Sequence, residues 1–563
     1  LLAAHRPGVA TVGVEPIETP LGEPLALVTV VHDDMAFLFD SVLAEINERT
    51  ASVHWIAHPI LLAQAGAPTR FRSARGAGPA ADGEERVSLI QVVAEDPGAE
   101  RREDLARELR SVLGEVRAAN GDFEAMRRQV AGEAEVLETR AASRSTADAA
   151  LAEEEREAAA LLRWLCADNF VFLGTRRLDY YGEGEALRAV PGGALGILRD
   201  PAVRVLRRES EGGETGAEIR AFLEAPAPLV VAKGNARSRV HRRAYMDYVG
   251  VKLRDGLGNL AGELRVAGLF ASNAYTQPVG QIPFLRRKVE SVAERLGFSP
   301  RSHSAKALRN VLETYSRDEL FQIDVDLLAR FADTITELGE RPRIRVLPRI
   351  DRFDRFVSVL VFVPRESLDA RLRERIGALL AERYEGHVSA VYPSFPEGSL
   401  ATVHFIVGRR GGRTPEPDPA ELEAAVAVLA RDWTAGFERA GRGEPDAKAL
   451  LSLAPGLPRS YRGAVEPEDA VRDARFVLAL TPERPLALDF TRVASDGPDI
   501  LRLRIYHFGT PMTLSRRVPI LENMGFSAVA ERTFELTRGE GSRVFLHDMA
   551  LARRSGAGAI ELT

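Results

Sequence analysis

One supersecondary pattern, strand, helix, strand, strand, recurs three times along the chain, in blocks opening near Leu25, Phe356 and Leu501. A unit this short buries its apolar residues only by laying helices on its own sheet, so the recurrence limits the chain to a string of small layered domains. In the first block the apolar run Leu25 to Val31 passes through His32, Asp33 and Asp34 into a helix on which Leu38, Val42 and Ile46 recur every four residues. That spacing puts an apolar stripe on one helix face, and Asp34 is placed to cap the helix through its carboxylate. Strand-like Val53 to Leu61 and Val87 to Ala94 follow, then a second amphipathic helix through Leu105, Leu109, Val112 and Val116.

The second block repeats the order: strand Phe356 to Val363, helix Ser367 to Tyr384, strands His387 to Tyr392 and Leu400 to Val407, helix Glu421 to Ala440. In the third, Leu501 to His507 leads through the turn Gly509, Thr510, Pro511 and Met512 to a helix ending at Met524, then strands Phe526 to Leu536 and Val544 to Leu551, with no second helix after them. Leu501, Leu503 and Ile505 alternate with Arg502 and Arg504, which predicts that the apolar set faces a helix and that reversing Arg502 costs little. Together the blocks read as ferredoxin-like split folds in an α+β, multidomain chain. Such a fold hosts many activities and does not name one.

At about 150 residues per domain, 563 residues suggest roughly four domains. Between the first two blocks, residues 137 to 163 are rich in Ala and Glu and predict one helix with a solvated charged face. Asn169 to Leu173, Leu195 to Leu198, Leu229 to Lys233, Tyr245 to Leu253 and Leu264 to Phe270 then predict a separate antiparallel sheet of the sensor type. Helices follow from Phe284 to Leu338, with a capping-box pattern at Ser316-Arg317-Asp318-Glu319.

The net charge of −6, with both signs interspersed, argues against a nucleic-acid surface, and no apolar run reaches the roughly 18 residues of a membrane span. A single cysteine, Cys166, leaves no internal disulfide and points to a reducing cytoplasm. Following Trp164-Leu165, it reads as a buried, inert thiol. Gly256-Leu257-Gly258-Asn259-Leu260-Ala261 has dinucleotide-fingerprint spacing, but the residues after it are strand-like, which favours a hairpin turn over a phosphate cradle. His54 and His58 would stand roughly 13 Å apart along a strand, too far to share a metal. The lysines are Lys233, Lys252, Lys288, Lys306 and Lys448, scattered over four segments, so no pocket with paired lysines is expected.

Several stretches resemble one family. Leu27 to Val42, Asn169-Phe170-Val171-Phe172-Leu173-Gly174, Gly268 to Val289, His303 to Leu308, Glu313 to Gln322 and Leu501 to Leu536 are similar, in order, to the N-terminal half of the large bacterial NAD-dependent glutamate dehydrogenases. The resemblance implies three ACT-like domains, a PAS-like domain and helical connectors, preceding a catalytic module in a homotetramer. The expected layout is a tail at 1–20, ACT-like domain 1 at 21–136, helix and PAS-like domain at 137–283, helices at 284–341, ACT-like domain 2 at 342–440, a linker or helical stretch at 441–484 and ACT-like domain 3, expected to be incomplete at its C-terminus, at 485–563.

Catalytic residues, NAD and metal are expected in none of these segments, and NAD belongs to the parent enzyme. The partners implied are the parent's C-terminal catalytic module, other subunits and an amino-acid effector. ACT-type domains commonly hold amino acids at the turn after the first strand, where helix amides meet a carboxylate. That makes Gly509, Thr510, Pro511 and Met512 one candidate loop and His32, Asp33 and Asp34 another, although the two aspartates would repel a carboxylate. A scaffold that binds nothing, and a stand-alone amino-acid sensor, remain as alternatives.

Overall fold

The computed structural model describes residues 2, 5–18, 24–50, 52–64, 67–73, 84–180, 187–203, 205, 225–299, 301–409, 413–430, 433–492, 499–539 and 541–553. The chain divides into two compact units, residues 1–337 with 351–355, and residues 338–350 with 356–563.

In the first unit the opening repeat forms a sheet of β1 (Thr11–Ile17), β2 (Leu25–Asp33), β6 (Glu84–Glu95), β4 (Ile60–Gln64) and β5 (Ala67–Ser73) in that order, with β3 (Val53–Ala57) also on β6. Residues assigned to the tail thus supply β1, which runs antiparallel to β2 from Thr11–Val31 to Ile17–Leu25. The helices Leu38–Arg49 and Ala99–Gly121 cover this sheet, burying Leu38, Val42, Ile46, Leu105, Leu109 and Val112 with Val28 and Val30.

Asp34 caps nothing. The first helix starts four residues later, after Phe37 in a left-handed conformation, and no side chain caps it. Residues 137–163 also form two helices rather than one, Phe123–Ser143 and Ala149–Trp164. Glu155, fully buried, accepts from Arg140 and Arg144 across the break, so part of the charged face is internal.

The second sheet of this unit has the order β8 (Arg188–Gly196), β7 (Phe170–Asp179), β11 (Leu260–Phe270), β10 (Tyr245–Arg254), β9 (Leu229–Arg237), all antiparallel, in the region expected to be PAS-like. The helices Leu285–Leu296, His303–Thr314, Arg317–Gln322 and Val325–Glu340 follow. Ser316 precedes the third of these without a side-chain cap bond, so the serine half of the capping box is not made. Asp318, on the first turn of that helix, lies 3.1 Å from Lys233.

In the second unit the middle repeat orders its strands β12 (Arg345–Ile350), β13 (Phe356–Pro364), β15 (Leu400–Arg409), β14 (Gly386–Ser394). One sheet face is covered by the helices Ala370–Arg383 and Pro419–Leu429. The expected 421–440 helix is two, Pro419–Leu429 and Trp433–Gly441.

The third repeat has the same order, β16 (Leu486–Thr491), β17 (Leu501–Phe508), β19 (Arg543–Arg553), β18 (Phe526–Thr537). Leu503 and Ile505 face the helix Leu514–Asn523, as the alternation predicts. The opposite face is not open to water. Tyr506, Phe534, Val544 and Leu546 pack there against helices that include Pro467–Ala479. Arg504 is buried on Asp473 at 2.6 Å, beside Tyr461 and Tyr506, which donate to the same carboxylate. Arg502 is 14% exposed and lies 3.4 Å from Asp548, so it does not stand on an open face. A sheet with helices on both faces leaves its strand arginines half inside.

Candidate functional site

The turn after β17 is made by the sequence Gly509-Thr510-Pro511-Met512. Gly509 adopts φ 84, which favours glycine, and an added Cβ there would meet nothing within 4 Å, so the turn has open space above it. Its amide donates to the Arg543 carbonyl at 2.8 Å, and that of Thr510 to the Phe508 carbonyl at 3.1 Å. The Thr510 carbonyl lies 2.7 Å from His507 Nδ1. Thr513 then opens the helix Leu514–Asn523 without a side-chain cap bond. The Leu514 and Ser515 amides thus precede the intrahelical ladder, at the positive end of the helix dipole.

Beneath the turn lies a relay anchored by two buried residues, His547 and Arg517. The Met512 amide donates to His547 Nε2 at 3.2 Å, which places the ring proton on Nδ1. Nδ1 donates to Thr533 Oγ1 at 2.8 Å, and Thr533 Oγ1 donates to Glu531 Oε1 at 2.9 Å. Arg517 Nη1 closes the chain on the same oxygen at 2.7 Å. His547 is 1% exposed, and burial, then the Arg517 cation, holds its ring below the ordinary histidine value against the pull of Glu531. Burial alone would raise Glu531, but hydrogen bonds from Arg517 and Thr533 outweigh it and keep the carboxylate ionised. The relay therefore pairs one cation with one anion and holds a neutral imidazole against the turn. The register sets His547 directly opposite Thr533, which is what brings the relay together.

The first-repeat turn is arranged otherwise. Asp33 Oδ2 accepts the Gly8 amide at 2.6 Å, and Oδ1 lies 3.2 Å from His5 Nε2. Asp34 receives Arg86 Nε at 3.0 Å, while its own amide donates to the Arg86 carbonyl at 2.9 Å. His32 is buried with Nδ1 3.1 Å from the Asp33 carbonyl. Both carboxylates fasten neighbouring chain, and their charge makes this turn a poor seat for a second carboxylate.

The remaining candidates resolve into structure. Gly256–Ala261 lies at the β10–β11 hairpin, where Asp255 Oδ1 accepts the Leu257 and Asn259 amides at 2.9 and 2.8 Å; no helix begins there to receive a pyrophosphate. His54 meets Ser52, whereas His58 bonds Ser88 at 2.7 Å and stacks on Phe39. Among the described residues no group of three or more His, Cys, Asp or Glu side chains is placed to hold a metal, and no helix is long and apolar enough to cross a membrane. Cys166 is half-buried at the end of the Ala149–Trp164 helix, its thiol pushed up to about 11 by burial. One buried cluster lay outside the sequence reading: Lys233 on β9 bridges Asp247 on β10 at 2.6 Å and Asp318 at 3.1 Å, fastening the sheet to the helix Arg317–Gln322.

Four family models match, all of glutamate dehydrogenase: the ACT1 domain over residues 5–109, helical motif 1 over 282–341, the ACT2 domain over 345–434 and the ACT3 domain over 485–562. The chain is similar to the NAD-specific glutamate dehydrogenase of Halomonas elongata, 35% identical over 535 residues that cover 93% of the chain and 32% of the relative. It is 33% identical to that of Pseudomonas aeruginosa over 94% of the chain and 32% of the relative, and 26% identical to that of Mycobacterium tuberculosis over 80% and 27%. The chain spans about a third of the length of these relatives. The three sheets built on the repeated pattern are ACT domains, and the chain belongs to the NAD-specific glutamate dehydrogenase family, over the region that carries those domains.

Proposed function

We propose that this chain is the regulatory and assembly portion of an NAD-dependent glutamate dehydrogenase, whose parent enzyme oxidatively deaminates L-glutamate to 2-oxoglutarate and ammonium, and that the chain has no catalysis of its own. The observation that carries this reading is the order of three ACT domains and a helical motif along the chain. The hairpin at Gly256–Ala261 and the scattered lysines support it. NAD is then bound by the parent's catalytic module, and the chain works in the cytoplasm as part of a homotetramer. The third-repeat turn receives the carboxylate of an amino-acid effector: Gly509 lets it approach, Thr510 offers a hydroxyl, and the first amides of the following helix face it.

The test of the first claim is absorbance of NADH from glutamate and NAD with the purified chain. None is expected. Turnover that survives repurification and tracks with the protein would overturn the non-catalytic reading.

A further inference from the structure

The turn at residues 238–244, between β9 and β10, sends its side chains in two directions. Arg239, His241 and Arg243 reach the first ACT domain. Arg239 donates to Glu108 at 2.8 Å and to Glu115 at 3.0 Å, both on the helix Ala99–Gly121. Arg243 donates to Glu45 on the helix Leu38–Arg49, a carboxylate that is 1% exposed and also accepts from Arg49 at 2.6 Å. The His241 amide donates to the buried Ser41 Oγ at 2.8 Å, and its ring centroid lies 4.8 Å from that of Phe37.

Arg242 points the other way. It donates to the Phe270 carbonyl at 2.7 Å, at the end of β11, while Asp247 accepts the Phe270 amide at 3.1 Å. The Phe270 ring stacks at 4.6 Å on Phe321 of the helix Arg317–Gln322, within the helical motif. Arg242 also lies over Tyr275, whose hydroxyl donates to Asp318 of the same helix at 3.2 Å.

The turn between these two ends is stiff. Val240 is fully buried, Ser238 Oγ accepts the Val240 amide at 3.1 Å and donates to the Val240 carbonyl at 2.7 Å, and the Ser238 amide donates to the Ala244 carbonyl at 2.8 Å. A segment held in this way passes on a displacement instead of absorbing it. His241 and Phe37, which face each other, are both left-handed, at φ 67 and 66, and neither is glycine. Such backbone persists only where its surroundings over-determine it, and it gathers at switch regions. A contact that served packing alone would be met more cheaply by glycine at either position.

We propose that residues 238–244 are a coupling clasp, which passes a movement of the first ACT domain's helices to the helical motif through Arg242 and Phe270. The ACT end is ionic: Arg49, Arg239 and Arg243 share Glu45, Glu108 and Glu115, so a shift of one helix against the other redraws those pairs. The far end is aromatic and set in the sheet.

Hydrogen exchange of the Leu320 and Ile323 amides, which donate to the Ser316 and Glu319 carbonyls at 2.9 and 2.8 Å, reads the far end. Glu45→Gln, at a residue whose partners are Arg49, Arg239 and Arg243, should cut their protection about tenfold. Glu115→Gln, at the partly buried partner of Arg239, should act in the same direction more weakly, and it serves where Glu45→Gln does not fold. In an Arg242→Ala background neither change should add to the loss. Val92→Ala weakens the same ACT core from the sheet side and should leave both amides unchanged. Protection lost only in the ACT domain and the turn would overturn the proposal. So would an equal loss with Val92→Ala, which would report the stability of the whole unit, or a loss that persists in full in the Arg242→Ala background.

Discussion

The turns that follow the first helix-facing strand of the first and third repeats occupy the same place in the fold and carry opposite chemistry. At His32–Asp34 two carboxylates crowd the turn and are spent on Gly8, His5 and Arg86. At Gly509–Met512 the turn is uncharged and rests on a neutral imidazole, with its ionic pair, Arg517 and Glu531, one layer below. A repeated fold supplies a location and the side chains decide its use: one turn fastens the residues around Gly8, the other is left facing open space.

The largest effects should come from the layer below the third turn. Glu531→Ala would leave the 4%-exposed Arg517 without its carboxylate, at a cost of about 3–5 kcal/mol in chemical unfolding of the third repeat. Asp33→Ala removes a partly exposed carboxylate from the first turn and should cost about 1 kcal/mol. Equal losses would erase the contrast between the turns. The strand that feeds the third turn gives the next test. Leu503→Asp buries an unpaired charge and should cost about 4 kcal/mol, and Arg502→Glu, which sets a second carboxylate beside Asp548, about 2 kcal/mol. A cost near zero for Arg502→Glu would mean that the second face of the sheet is open to water.

Much of this contrast could be read in advance, and the rest could not, for identifiable reasons. The period-four stripe of Leu38, Val42 and Ile46 and the alternation of Leu503 and Ile505 located the helix-facing strands, because local periodicity reports one buried face. The leading strands were missed where turn-forming residues mask them: β1 contains Gly13 and Pro16, β12 contains Pro348, and β16 follows Pro485. Proline is tolerated there because all three lie at sheet edges. The burial of Arg504 was invisible because its partner, Asp473, lies on a helix from outside the repeated pattern. The candidate turn was legible as a loop with glycine and proline. Its relay was not, since Met512, Arg517, Glu531, Thr533 and His547 come together only through the sheet register.

A smaller effect separates the turns by pH. His547 is held below the ordinary histidine value of 6.5 in the fold, so the unfolded chain binds the proton more readily. The contribution is complete above about pH 6.5 and is lost as the pH falls below it, because a protonated Nε2 can no longer accept the Met512 amide. Loss of that amide's exchange protection below pH 6.5, taken relative to the intrinsic rate at each pH and flattened by His547→Gln, is the expected outcome. His58 in the first repeat is also lowered by burial, so global melting alone will not separate the two. A Met512 protection factor that stays unchanged between pH 5 and 8 would remove His547 from the turn.

On the proposed function the third turn, and not the first, receives an amino-acid carboxylate. A thermal melt of the chain against the common amino acids and 2-oxoglutarate tests it most directly. One-site linkage at a hundred-fold excess over the dissociation constant gives about 2.7 kcal/mol, enough to read as a shift. The prediction is that at least one compound raises the midpoint of the wild type and of Asp33→Ala, and that Thr510→Arg, which fills the space above the turn, abolishes the rise. No shift with any compound, or a shift that persists in Thr510→Arg, would contradict it.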